Sequence, residues 1–132
     1  MTYLFKQAKK VEEPFEGDYF TNLLKTPLTK RMEDCKKILK KYPDRIPVIV
    51  DRGTRETPKI DKNKFLVPKS ITISEFMIVL RARLPLQKDQ AIYFHIQNNM
   101  PRSTDEMSRI YLQNKSEDGY LYMTYSVEAS FG

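Results

Sequence analysis

The chain has 132 residues, 23 Lys plus Arg against 17 Asp plus Glu, one Cys, one His and no Trp. That length fits one domain able to bury a core of its own, and the formal charge of +6 with a pI near 9.4 points to acidic partners: nucleic acid, anionic lipid or an acidic protein surface. One cysteine and one histidine exclude an internal disulfide and the usual four-ligand zinc site.

From the N-terminus, Lys6, Lys9 and Lys10 are followed by no apolar core of the secretory type, and no apolar run approaches the roughly 20 residues that span a bilayer. The reading is a soluble cytosolic protein. Between Pro14 and Pro27, the apolar residues Phe15, Tyr19, Phe20, Leu23 and Leu24 permit a short amphipathic helix. Residues 1–27 are read as an N-terminal extension, and 28–132 as the domain proper. Thr29 is expected to cap a helix whose stripe is Met32, Cys35, Ile38, Leu39 and Tyr42, with Lys36, Lys37, Lys40 and Lys41 on the other side and Pro43 ending it.

The β-branched run Ile46-Pro47-Val48-Ile49-Val50 reads as a strand, closed by the turn Asp51-Arg52-Gly53-Thr54. Phe65-Leu66-Val67-Pro68 reads as a second strand that either ends at Pro68 or lies on an edge. Thr72-Ile73-Ser74-Glu75 matches a capping box for a helix through Phe76, Met77, Val79 and Leu80 that stops at Leu84. A strand at Ala91 to Ile96, a turn at Asn98 and Asn99, a second capping box at Ser103 to Glu106 with a short helix through Met107, Ile110 and Tyr111, and a strand at Tyr120 to Tyr125 complete the order. This order predicts an α+β fold with a mixed sheet and helices on one face.

Catalysis finds no support. Cys35 lies on the apolar stripe of a helix and reads as a small core hydrophobe; His95 sits inside a strand and reads as structural. Four glycines in all give neither a phosphate-cradling loop nor a dinucleotide fingerprint. Nucleic-acid binding would want aromatics interleaved among Lys30, Lys36, Lys37, Lys40 and Lys41, and that helix face has none. No metal site, no cofactor and no nucleic-acid partner is expected.

Four segments stand out: Asp44-Arg45-Ile46-Pro47-Val48-Ile49, Ile60-Asp61-Lys62-Asn63-Lys64-Phe65-Leu66-Val67-Pro68, Tyr120-Leu121-Tyr122-Met123-Thr124-Tyr125-Ser126, and the terminal Ser130-Phe131-Gly132. In this order they resemble the autophagy ubiquitin-like modifiers, the family of the microtubule-associated protein light chain and the GABA-receptor-associated protein. The resemblance runs from about Leu28 to Gly132, with a short length difference near Gly53 to Pro58. It implies a ubiquitin-like β-grasp with additional N-terminal helices.

It also implies a chemistry. Such modifiers are adenylated at the C-terminal carboxylate, passed as thioesters between cysteines of an activating and a conjugating enzyme, and transferred to the amine of phosphatidylethanolamine. Gly132 would be the carboxylate donor, since a residue without Cβ threads a narrow slot that others resist. A processing or deconjugating cysteine protease is an implied partner, and Gly132 as last residue matches a form encoded ready or already trimmed. The implied location is the cytoplasm, and the autophagosomal membrane once lipidated.

The second implied activity is recruitment of autophagy receptors and cargo carrying acidic motifs of the pattern aromatic-x-x-aliphatic, which add a strand to the sheet edge. Asp34, Ile38, Pro47, Ile49, Lys64, Leu66 and Tyr120 match the family's aromatic pocket. Phe65, Val67, Pro68, Ile71, Phe76, Val79 and Leu80 match its aliphatic pocket, with Arg45 and Arg83 placed for acidic flanks. From the residues alone Ile49, Phe76 and Val79 read as plain core. The family's Phe-Glu is Leu28-Thr29 here, and the N-terminal extension is longer than the family pattern. Within it Glu16 to Leu23 has the form of a docking ligand, with Phe20 and Leu23 as an internal plug; the plainer reading is a packed helix or a mobile tail. An alternative activity is an unconjugated adaptor that uses the Lys30 to Lys41 helix on microtubules.

Overall fold

In this computed structural model the described residues are 19–129. The elements are α1 (Tyr19–Leu23), α2 (Leu28–Lys41), β1 (Arg45–Arg52), β2 (Lys64–Pro68), α3 (Ile73–Arg81), β3 (Gln90–His95), α4 (Met107–Asn114) and β4 (Leu121–Ala129). The sheet order is β2-β1-β4-β3. β1 runs parallel to β4, and the two outer pairs are antiparallel. This is the mixed sheet the element order predicts, but helices cover both faces rather than one.

The reason lies in the alternation of β1. Ile46, Val48 and Val50 face one side and join Phe65, Val67, Ile73, Phe76, Leu80, Met107, Ile110, Leu121, Met123 and Tyr125 in the main core under α3 and α4. Ile49 faces the other side, where it packs with Cys35 and Tyr120 against Ile38, Leu39, Tyr122 and the α1 residues Tyr19, Phe20 and Leu23. A strand buried on both faces reads as a continuous apolar run rather than an alternating one, so Ile46 to Val50 signals a strand without declaring two layers. At the centre of the main core Phe76 stacks on Phe94 and meets Phe65 edge-on, both with centroids 5.5 Å apart.

Element ends follow local chemistry. The α3 capping box is present: Thr72 accepts from the Glu75 N–H at 3.3 Å, and Glu75 accepts from the Thr72 N–H at 2.9 Å. The helix ends at Arg81, earlier than Leu84, because the Arg83 and Leu84 N–H groups close tighter turns on Leu80 and Arg81. The expected Thr29 cap of α2 is replaced by Pro27, whose carbonyl accepts from Lys30 and Arg31; a proline at that place has no N–H to leave unpaired. The second expected capping box does not form. Glu106 stands at the start of α4 without a side-chain cap bond, and Asp105 instead accepts the Arg102 N–H at 2.9 Å. The hairpin-like turn after β3 falls on Gln97 and Asn98, both at positive φ, one residue earlier than expected.

Segment 16–23 is only partly described, since Glu16, Gly17 and Asp18 lie outside the described residues, as does Gly132. What is described matches the plainer reading, a helix packed on the domain. Tyr19–Leu23 is helical, not extended, with the Phe20 N–H bonded to buried Asp51 at 2.8 Å and its ring edge-on to Tyr122 at 5.3 Å. No helix among the described residues is long and apolar enough to cross a membrane.

Candidate functional site

β2 is an outer strand, and its free edge is the starting point. Val50 N–H donates to the Asn63 carbonyl at 2.8 Å, which marks those opposed residues as a hydrogen-bonded pair. Such pairs alternate in an antiparallel ladder, so Val48–Phe65 and Ile46–Val67 are bonded while Lys64 and Leu66 turn their own N–H and C=O groups away from β1. Pro47 stands opposite Leu66, where a missing N–H costs the β1–β2 ladder nothing. Among the described residues Lys64 and Leu66 therefore offer backbone groups that no neighbouring strand pairs. One of these groups is touched already: Arg45 Nη1 donates to the Leu66 carbonyl at 3.3 Å.

Side chains on β2 divide between the two faces. Lys64 and Leu66 share the face of Pro47, Ile49 and α2; there a cavity of about 290 Å³ opens among Ile38, Pro47, Val48, Lys62, Lys64, Phe65, Leu66 and Tyr120. Five of the seven residues matched to the aromatic pocket line it. Ile49 is fully buried beneath them, and Asp34 stands one helical turn from Ile38, paired with Lys30 at 3.2 Å. Lys64 Nζ lies 5.7 Å from the Tyr120 ring centre, and Lys62 Nζ 5.3 Å from that of Phe65. Lys62 lines the groove from the segment before β2, where no strand periodicity marks it.

The residues matched to the aliphatic pocket belong to the opposite face, except Pro68, which as the second residue after Leu66 ends β2 on the face of Lys64 and Leu66. Phe65, Val67, Phe76 and Leu80 are buried in the main core, while Ile71 is half-buried and Pro68 and Val79 are exposed. Phe76 and Leu80 thus form a floor, and the accessible apolar surface on this face is Ile71 and Val79. Arg45 is opposite Pro68 at one end of β2. Arg83 is held by Asp61, with Nη1 at 3.2 Å from both carboxylate oxygens. A second cavity, about 330 Å³ among Arg102, Asp105, Arg109, Ile110 and Gln113, involves none of the residues matched from the sequence.

Under the aromatic groove lies a buried polar knot. Asp118, fully buried at its side chain, accepts from Arg31 Nε at 3.0 Å, from the Tyr120 N–H at 3.0 Å and from the Tyr122 hydroxyl. Burial and the bond to Asp118 push the Tyr122 phenol well up. The Tyr120 hydroxyl is buried without a hydrogen-bond partner among the described residues, and burial, with Cys35 and Asp34 adding to it, raises it to about 12. Cys35 is 1% exposed, and burial first, then Asp118, raises its thiol to about 11. It is a packed thiol rather than a nucleophile. Among the described residues no cluster of three or more His, Cys, Asp or Glu is arranged to hold a metal.

A family model described as "Autophagy protein Atg8 ubiquitin like" matches residues 30–132. The chain belongs to the Atg8 family. It is 48% identical over 110 residues to Autophagy-related protein 8c of Arabidopsis thaliana, covering 83% of this chain and 92% of that protein, and 46% identical over 110 residues to Autophagy-related protein 8A of rice (Oryza sativa subsp. indica), with the same coverage. Among solved structures, Trypanosoma brucei ATG8 matches with a TM-score of 0.75 at 35% identity, covering 83% of this chain and 95% of that one. Plasmodium falciparum Atg8, solved in complex with a Plasmodium falciparum Atg3 peptide, matches with a TM-score of 0.71 at 36% identity, covering 81% and 95%. As an Atg8 protein the chain is an autophagy ubiquitin-like modifier, and its mixed sheet under helices is the ubiquitin-like fold. Ile38 of α2 closes one side of the groove beside β2.

Proposed function

We propose that this Atg8 protein recruits autophagy receptors and cargo by adding their aromatic-x-x-aliphatic motifs as a strand to β2, while held on the autophagosomal membrane through Gly132. The observation that carries the docking half is the division of β2 between two faces. Side chains three apart on an extended strand point to opposite sides. A motif strand seated on the Lys64 and Leu66 backbone groups therefore sends its aromatic residue into the 290 Å³ groove on the α2 side and its aliphatic residue toward Ile71 and Val79 on the α3 side. Main-chain bonds give affinity, and the two pockets give the pattern. Calorimetry with such a peptide tests it: Leu66→Ala should weaken binding about tenfold, as for a central contact. Unchanged affinity would sink the groove assignment.

The conjugation half rests on family membership and on the chemistry of a terminal carboxylate. The Gly132 carboxylate attacks the α-phosphorus of ATP and releases pyrophosphate. A cysteine of the activating enzyme displaces AMP to form a thioester, and a conjugating-enzyme cysteine takes the acyl group by exchange. The amine of phosphatidylethanolamine then forms an amide and frees the thiol. The Plasmodium falciparum relative bound to an Atg3 peptide supports a conjugating-enzyme partner. This scheme needs no nucleophile in the modifier, consistent with the packed, protonated thiol of Cys35. With activating and conjugating enzymes, ATP and phosphatidylethanolamine vesicles, Gly132→Ala should lower the rate on the order of a hundredfold through misplacement of the acyl carbon. Lipidation of this variant at the wild-type rate would contradict the scheme.

A further inference from the structure

Four cations border the β2 edge, and they are not equivalent. Arg45 touches a backbone carbonyl; Lys62 and Lys64 lie over aromatic rings. Among the described residues Arg83 alone of the four is paired with a carboxylate, both oxygens of Asp61 lying 3.2 Å from its Nη1. The pair is open to water, with side-chain exposures of 37% for Arg83 and 70% for Asp61, so an incoming acid can exchange for it. The two arginines also mark opposite ends of the strand: Arg45 is in register with Pro68, the last residue of β2, whereas Asp61 stands three residues before Lys64, the first.

We propose that Asp61 is a built-in competitor for acidic flanks. It presents to Arg83 the carboxylate that a docking motif would present, so an acid arriving at that end gains only what is left after Asp61 is displaced and returned to water. An acid arriving at the Arg45 end meets no carboxylate rival among the described residues. Asp61 would thereby make the edge selective for which side of the aromatic-x-x-aliphatic core carries its acids. The inference rests on the docking reading of β2 and adds a specificity residue that neither pocket contains.

The test uses the full chain and three fluorescein-labelled synthetic peptides sharing one aromatic-x-x-aliphatic core. One carries three glutamates before the core, one carries three after it, and one carries glutamines on both sides. Asp61→Asn should tighten one of the two glutamate peptides by about two- to fivefold, the range an exposed ion pair spans, and leave the other glutamate peptide and the glutamine peptide within about 1.5-fold. In an Arg83→Gln background the same substitution should no longer tighten any of them. Equal tightening of all three, no tightening, or tightening that survives Arg83→Gln overturns the proposal. Failure of the glutamine peptide to bind the wild-type chain would instead strike the docking reading itself. Thermal unfolding of each variant confirms that the fold is retained.

Discussion

Gly119→Ala should lower the unfolding free energy by about 2–5 kcal/mol, measured by urea denaturation. Two separate strains add. Gly119 has φ of +99°, a conformation that side chains on L-residues resist, and a Cβ built there would lie 2.8 Å from the Cys35 sulfur, nearer than any real contact. The Gly119 carbonyl also accepts the Tyr111 hydroxyl at 2.7 Å, which ties the turn to α4 and leaves it little room to relax. Repeating the substitution in a Cys35→Ala chain separates the terms. The steric part should vanish there, leaving about 1–3 kcal/mol of backbone strain. A loss under about 1 kcal/mol in the Cys35-containing chain would contradict the packing described.

The second large effect is at Asp118. Asp118→Ala should cost about 3–5 kcal/mol, the usual penalty for leaving one member of a buried ion pair alone. The carboxylate has 0% side-chain exposure and Arg31 13%, so water does not readily replace the lost acceptor. The substitution also strips the Tyr120 N–H and the Tyr122 hydroxyl of their partner. Because Arg31 reaches back to the Thr26 carbonyl before α2, the damage should extend to the seating of α2 on the sheet, and with it to the aromatic groove. Replacing both Asp118 and Arg31 with apolar residues of similar volume should recover part of the loss. A single-variant loss below about 1 kcal/mol, the value of a solvated surface pair, would mean that water reaches the site.

Both positions sit in a dipeptide whose sequence signal is modest. Asp118-Gly119 reads as a turn, and a turn it is, but nothing local announces that its acid meets Arg31 across 87 residues. Local signals carried the parts of the fold that local chemistry decides. The Thr72–Glu75 capping box, the β-branched β1 and the proline at the end of edge strand β2 are all legible because each depends on a few neighbouring residues. The second layer was not legible, since a strand buried on both faces looks like any apolar run. The aromatic groove is intermediate: Ile38, Pro47, Lys64, Leu66 and Tyr120 come from three elements and the turn before β4, so no periodicity joins them, and only the family resemblance brings them together. Lys62 and Asp61 escaped both routes. They lie before β2, where position relative to Phe65 and Arg83 is set by tertiary packing.

The central claim is that β2 accepts a strand, and alternate amides test it directly. Backbone hydrogen exchange, followed residue by residue, should slow about tenfold or more at Lys64 and Leu66 when an aromatic-x-x-aliphatic peptide saturates the chain. Phe65 and Val67, whose amides already face β1, should change little by comparison. Protection that leaves Lys64 and Leu66 untouched, or that appears instead along β3 at the other edge of the sheet, would contradict docking at β2.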